Sequence, residues 1–243
     1  ESEEEIVQIV KLAKEEGLHI YTRGSGTNLS GGTIPLRKGI VLVTTRMNKI
    51  VEVDAENLTA TVQPGVVINT LNDAVSPYGL MYPPDPGTVK TATMGGSVSE
   101  SSGGLRGLKY GVTKDYVMGV RMVLANGEVV TFGGKSVKNV AGYDLTKLVC
   151  GAEGTLGIIT EILVKLIAKP QYSKTMTATF NALKDAGYAI SGIIADKVVP
   201  ATMELLDQVT LQVVEEYIHI GLPTDAKVML LMQVDGNVEA EVE

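Results

Sequence analysis

Arg23-Gly-Ser-Gly-Thr-Asn-Leu-Ser-Gly-Gly32 is the stretch on which the reading of this chain turns. It follows a short apolar strand, His19 to Tyr21, and carries too much glycine to be a regular element. Successive glycines let neighbouring backbone N–H groups point at one spot, because no Cβ obstructs the approach and positive φ costs little. Such a nest suits a phosphate or pyrophosphate. The stretch is not a P-loop, since Gly32 stands where the lysine must be. Nor is it a Rossmann fingerprint: Leu29 replaces the third glycine, and Gly31, Gly32 and Pro35 forbid the helix that must follow. A phosphate-holding loop of another design remains, or a simple turn.

Two further glycine runs bear on that choice. Met94-Gly-Gly-Ser-Val-Ser-Glu-Ser-Ser-Gly-Gly104 and Gly151-Ala-Glu-Gly-Thr-Leu-Gly157 each lie beside a strand-like stretch. So much glycine is costly in chain entropy and is not accidental filler. Three such segments suit an extended ligand held mainly by backbone, and a flat heteroaromatic ring with a pyrophosphate tail meets that description.

Working outward, residues 3–16 place Ile6, Ile9, Val10 and Ala13 at helical spacing behind an acidic start, with Gly17 as the stop. Gly39 to Thr44 reads as a buried strand, and Ile50 to Asp54 with Leu58 to Gln63 as a hairpin. A helix carries Val67, Leu71, Ala74, Val75 and Tyr78 on one face and ends at Gly79. Pro83-Pro-Asp-Pro-Gly87 and the run from Gly95-Gly96 through Gly103-Gly104 read as loops. Tyr116 to Leu124 and Glu128 to Phe132 flank Ala125-Asn-Gly127, a strong hairpin signal. A short helix over Tyr143 to Cys150 and a strand over Leu156 to Ile167 follow. After a boundary at Ala168-Lys-Pro170, the remainder alternates: strand 175–180, helix 183–196, strand 201–206, helix 209–217 and strand 228–234. No internal repeat or low-complexity segment interrupts it.

Composition narrows the function classes. With 243 residues, 44% hydrophobic, the chain is long enough for a sizeable core. Its formal charge of −7 comes without a basic stripe, which argues against a nucleic-acid partner. One cysteine, Cys150, excludes an intramolecular disulfide and any CxxC metal site. His19 and His219 are far apart, so an imidazole-based metal centre is not expected. The acidic start, Glu1-Ser-Glu-Glu-Glu5, is the opposite of a signal peptide, and apolar runs such as Val228 to Met232 are too short to span a bilayer. A cytoplasmic protein without direct membrane insertion is expected.

Taken in order, the three glycine runs, Pro83-Pro-Asp-Pro-Gly87, Lys109-Tyr-Gly111 and Gly142-Tyr-Asp-Leu145 resemble the FAD-binding domain of the vanillyl-alcohol oxidase/p-cresol methylhydroxylase flavoprotein superfamily. Within it the likeness is to the FAD subunit of bacterial glycolate oxidase and to D-lactate dehydrogenases. It runs from about residue 1 to 169 and continues weakly to the end. The resemblance implies an α+β fold in which two α/β subdomains, 1–104 and 105–169, sandwich FAD, with residues 170–243 forming an incomplete ferredoxin-like cap. It also implies roles. The backbone of Gly24, Ser25, Gly26, Thr27 and Asn28 holds the pyrophosphate, with Arg23 neutralising charge. Pro84 and Gly87 contribute from the proline loop. Met94, Gly95, Gly96 and Ser97, with Ser101, Ser102, Gly103, Gly104 and Leu105, line the isoalloxazine, and Glu153, Gly157, Ile158 and Ile159 clamp the cofactor. Glu100 reads as a solvated acid, Tyr143 and Asp144 as structural.

Two departures from the family shape the expectation. Some relatives tether FAD through a histidine where this chain has Thr27, so the cofactor is expected to be non-covalent. The substrate-binding arginines, metal ligands and catalytic base that the resemblance implies fall after residue 243, which leaves no catalytic or metal residue to assign and makes the chain read as truncated within the cap. The implied reaction is oxidation of a D-2-hydroxyacid, with electrons passed to an iron–sulfur or electron-transfer flavoprotein partner. Two alternatives stand beside it: a flavin electron-transfer or assembly module, and an enzyme of the alkyl-dihydroxyacetone-phosphate synthase type.

Overall fold

Ser2 opens the first helix with a reciprocal cap. Its hydroxyl accepts from the Glu5 amide while the Glu5 carboxylate accepts from the Ser2 amide, and Glu3, Glu4 and Glu5 place negative charge at the positive end of α1 (Glu3–Glu15). The computed structural model describes residues 2–243. Ile6 and Val10 on the buried stripe of α1 pack with Leu42, Met47, Val123 and Ile158. A polar anchor fixes the same helix: Glu3 accepts from Arg121 Nε at 2.8 Å and Nη2 at 2.7 Å, and from Thr160 Oγ1 at 2.6 Å. The Arg121 hydrogen bonds hold the Glu3 carboxyl below the usual carboxylate range. A depressed carboxyl stabilises the fold fully above its unfolded value and loses that contribution as pH falls through the folded one. In urea titrations across pH, wild type should therefore exceed Glu3→Gln in stability near neutrality and converge with it in acid. Parallel pH profiles would show that the anchor contributes nothing through its charge.

Following α1, β1 (His19–Arg23) pairs in parallel with β2 (Gly39–Val43). β3 (Ile50–Asp54) and β4 (Thr59–Val62) form the expected antiparallel hairpin. α2 (Ile68–Val75) continues through a tight turn at Ser76–Tyr78 and stops at Gly79, whose φ of 68° is left-handed. β5 (Leu80–Met81), α3 (Met94–Glu100) and the one-turn α4 (Gly107–Tyr110) come next. β6 (Val117–Val123), β7 (Val129–Gly133), α5 (Leu145–Val149), β8 (Ile158–Lys165) and β9 (Ile167–Ala168) complete the stretch. The five-stranded sheet runs β3-β4-β8-β6-β7, so strands from both sides of residue 104 share one antiparallel sheet. Its buried core gathers Ile68, Leu71, Tyr82, Met94, Ile162 and Leu166.

The α3 helix corrects a sequence expectation, because residues 94–104 read as a breaker-rich loop. Met94 and Val98, four apart, are both fully buried and give the helix an apolar face. Gly95 is tolerated there for a packing reason: a Cβ at that position would stand 2.6 Å from Pro64 Cβ. Close approach of two backbones, rather than flexibility, explains that glycine.

The chain divides into two units, one built from the residues up to and including Gly104 with Val112–Lys169, the other from Leu105–Gly111 with Pro170–Glu243. In the second, β10 (Tyr172–Phe180), α6 (Leu183–Ala195), β11 (Thr202–Asp207), α7 (Gln208–Ile218), β12 (Val228–Gly236) and the short α8 (Glu239–Val242) follow in order. β12 lies between β10 and β11 and is antiparallel to both, a split arrangement of the ferredoxin-like kind. Residues 105–111 depart from the expected subdomain start at 105. They group with this unit because Tyr110 Oη donates to Asp235 Oδ2 at 2.8 Å and Lys109 Nζ donates to the Asp235 carbonyl at 2.7 Å and to its carboxylate.

Candidate functional site

A cavity of about 510 Å³ opens in the first unit, within the range of small-molecule sites. The loop after β1, the 86–88 turn, the stretch through α3, and residues 153–159 all reach it. The glycine runs are remote in sequence, and strand pairing brings them together: β1 delivers the first loop, while β8 delivers Gly157 and Ile159 across from β4 and β6.

In the first loop Gly24, Ser25, Gly26, Thr27 and Asn28 all line the cavity. Gly26 has φ of +74°, the left-handed region that side chains rarely adopt. Among the described residues, the amides of Ser25, Gly26, Thr27 and Asn28 have no hydrogen-bond acceptor within the chain. The Asn28 side chain, by contrast, is spent on the protein: Nδ2 donates to Ser30 Oγ and to Glu100 Oε1, each at 3.0 Å, and Oδ1 accepts from Thr33 Oγ1 at 3.3 Å. The loop therefore leaves these amides unspent and uses the Asn28 side chain to hold shape.

From the middle of the chain, Gly87, Gly95, Gly96 and Ser97 line the cavity. Ser97 Oγ belongs to a hydroxyl triangle, contacting Thr113 Oγ1 at 2.9 Å and Ser102 Oγ, with Thr113 donating to the Ser102 carbonyl at 2.8 Å. Thr93 Oγ1 is buried at the cavity wall without a hydrogen-bond partner among the described residues. A buried hydroxyl left unpaired is costly, so this atom marks a place where a ligand can complete the hydrogen bonding. Glu153, Gly157 and Ile159 contribute from the third run.

Several expected residues lie off the cavity, each for an evident reason. Met94 is fully buried in the main core. Ile158 points to the α1 side of its strand while Ile159 points to the other, as strand alternation demands. Pro84 is buried, and Ser101 caps α3 in a left-handed conformation. A Cβ on Gly103 would meet Val112, and one on Gly104 would stand 1.9 Å from the Asp85 carbonyl oxygen, so both serve chain packing. Leu105 is exposed and belongs to the second unit. Arg23 lies behind the loop, where a Cβ on Gly26 would come 2.5 Å from its guanidinium.

The sequence reading missed Thr93, Thr88, Ser99 and Gly154, all lining residues, and dismissed Glu100. Glu100 is half-buried and bonded to Asn28 rather than solvated. A helical reading of 94–100 would have found it, because Gly96 and Glu100 are four apart and share a face. Away from this site, burial pushes the Cys150 thiol up to about 11, which leaves it an inert thiol at neutral pH.

A backbone cradle with unspent amides, left-handed glycine and an orphan hydroxyl is chemistry for a phosphate-bearing ligand. Family comparison agrees, since the sequence profile described as FAD binding domain matches residues 1–133, more than half of the chain. The chain belongs to the FAD-binding domain family. A second profile, FAD linked oxidases, C-terminal domain, matches residues 169–243 of this FAD-binding protein. Among curated relatives, the glycolate oxidase subunit GlcD of Bacillus subtilis is 55% identical over 97% of the chain and 50% of its own length. A D-lactate dehydrogenase of Archaeoglobus fulgidus is 38% identical over 98% of the chain and 53% of its own length. A solved structure of alkyldihydroxyacetonephosphate synthase superposes with a TM-score of 0.81 at 27% identity, covering 97% of this chain and 46% of that one. The FAD-binding chain thus spans about half the length of the curated relatives it matches. Among the described residues, no helix is long and apolar enough to cross a membrane.

Proposed function

We propose that residues 1–169 form the FAD-binding domain, and residues 170–243 the opening part of the substrate cap, of an oxidoreductase that converts a D-2-hydroxyacid of the glycolate or D-lactate type into the 2-oxoacid. The observation that carries this reading is the convergence of three glycine runs on one 510 Å³ cavity. The amides from Ser25 to Asn28 would hold the pyrophosphate, with Arg23 supplying positive charge from behind the loop. Thr93 Oγ1 has a hydrogen bond to give, and the Ser97 and Ser102 hydroxyls, fixed by Thr113, would offer oriented polar atoms to the flavin. Glu153 and Ile159 approach from the third run. With Thr27 at the loop position where a histidine tether is found in some relatives, FAD is held without a covalent bond and should dissociate on denaturation.

When bound, FAD supplies a two-electron acceptor at its isoalloxazine ring. The chain's own contribution is to hold that ring in a walled cavity and to keep its phosphates neutralised. The base that removes the hydroxyl proton and the group that holds the substrate carboxylate are not among the cavity residues assigned above. A multi-subunit setting is supported by the subunit naming of the Bacillus subtilis relative, and in it electrons would pass on to a partner of the iron–sulfur or electron-transfer flavoprotein kind. The superposition on alkyldihydroxyacetonephosphate synthase supports a second reading, ether-lipid synthesis on the same cofactor fold, but identity is 27% there against 55% for the glycolate oxidase subunit.

Anaerobic mixing with D-lactate or glycolate tests the proposal. A protein extended to the full length of its relatives and loaded with FAD should lose its visible flavin absorbance rapidly. The 243-residue chain should bleach far more slowly, because orienting the substrate supplies roughly 7–11 kcal/mol of such a barrier. Fast bleaching by the short chain would place the catalytic groups within it. No bleaching by the long protein with either acid would sink the hydroxyacid assignment.

A further inference from the structure

Glu100 sits on the last residue of α3 and lines the cavity, yet its carboxylate faces a side chain rather than open space. Glu100 Oε1 accepts from Asn28 Nδ2 at 3.0 Å, a contact between residues 72 apart in sequence. The other Asn28 hydrogen bonds are local: Ser30 and Thr33 close the loop on itself. Those local bonds shape the loop, whereas the bond to Glu100 ties it to the helix that carries Gly95, Gly96 and Ser97. A hydrogen bond to a carboxylate is among the stronger kinds, and partial burial raises its worth. Asn28 has both amide hydrogens engaged, so its side chain has no donor left for a ligand.

Building on the reading that this cavity holds FAD, we propose that Glu100 is a positioning residue: through Asn28 it clasps the 24–33 loop to α3 and so sets the affinity for the cofactor. The separation of the two glycine runs, one offering amides and the other hydroxyls, depends on that clasp. Without it, the loop amides lose a fixed relation to the α3 wall, and the ordering of the loop falls on cofactor binding itself.

Asn28→Asp is the sharpest probe, because it sets a second carboxylate where the donor stood, and like charges at that distance repel. Adding Glu100→Gln restores a donor–acceptor pair with its direction reversed. FAD titrations of the full chain, stripped of flavin, should show Asn28→Asp and Glu100→Ala weakened by about tenfold or more, the loss of one charge-assisted hydrogen bond. Glu100→Gln should stay within about threefold of wild type, since its carbonyl still accepts from Asn28. The Asn28→Asp/Glu100→Gln double variant should regain most of the affinity. In the flavin-free proteins, amide exchange over residues 24–33 should quicken in Asn28→Asp and return in the double variant. Wild-type affinity in Asn28→Asp, or a loss that Glu100→Gln fails to rescue, overturns the clasp. A wild-type chain that takes up no FAD overturns the cofactor reading and the clasp with it, an outcome plainly distinct from uptake that is equal in all variants.

Discussion

Gly26→Val should abolish FAD retention while leaving the apo chain folded. Gly26 sits at φ +74°, where a β-branched residue meets severe steric cost, so valine forces the loop into another conformation. Its Cβ would also come 2.5 Å from the Arg23 guanidinium and displace the cation lying behind the loop. The amides of Ser25 to Asn28 would then no longer converge. Each hydrogen bond to a charged acceptor is worth roughly 1.5–3 kcal/mol, so losing two corresponds to a factor of at least about a hundred in affinity. The loop lies outside the buried core clusters, and melting of the flavin-free protein should shift little. Titration with FAD, followed by fluorescence and paired with a thermal melt, reads both quantities. Unchanged affinity in the valine variant would reduce the loop to a turn.

Gly104→Ala should do the opposite, lowering stability with or without flavin. A Cβ there would stand 1.9 Å from the Asp85 carbonyl oxygen and 2.3 Å from its carbon, and backbone atoms cannot rotate out of the way. The 85 and 104 segments must separate, at a cost on the order of 3 kcal/mol for overpacking of this kind. For a unit of this size that corresponds to a fall of roughly 6–12 °C in Tm. A variant with normal melting and impaired flavin binding would return Gly104 to the role the sequence suggests, contact with the isoalloxazine.

The contrast between these two glycines describes how far the sequence could be read. Glycine density announced a backbone-lined site, and the order of the runs announced the family, because each run stands beside a recognisable strand. What density could not tell was which glycines face a ligand and which face the chain itself. Gly26 and Gly104 look alike in sequence and differ in backbone conformation and in what lies within 3 Å of the missing side chain. The same blindness hid α3: glycine pairs suggested a loop, whereas Met94 and Val98 buried on one face make a helix, and only a helix brings Glu100 beside Asn28. Ile158 and Ile159 were named together, yet a strand must send neighbours to opposite sides. Asp235 gave no hint of its hold on Lys109 and Tyr110, for no local pattern records a partner so distant.

Synthesis proceeds from the amino end, so Lys109 leaves the ribosome 126 residues before Asp235, the acid that holds it. The five-stranded sheet of the first unit has all its strands once β8 is made at Lys165, long before β12 arrives to fill the centre of the smaller sheet. Residues 105–111 wait through that interval as a tethered excursion, and the second unit gains its central strand only after the sheet of the first is fully made. Its two pieces are not contiguous. A fragment cut after Lys169 would carry Lys109 and Tyr110 without their carboxylate, and one beginning at Pro170 would lack the turn that Asp235 grips. Recombination that moves the smaller unit between proteins as one block of sequence would leave part of it behind.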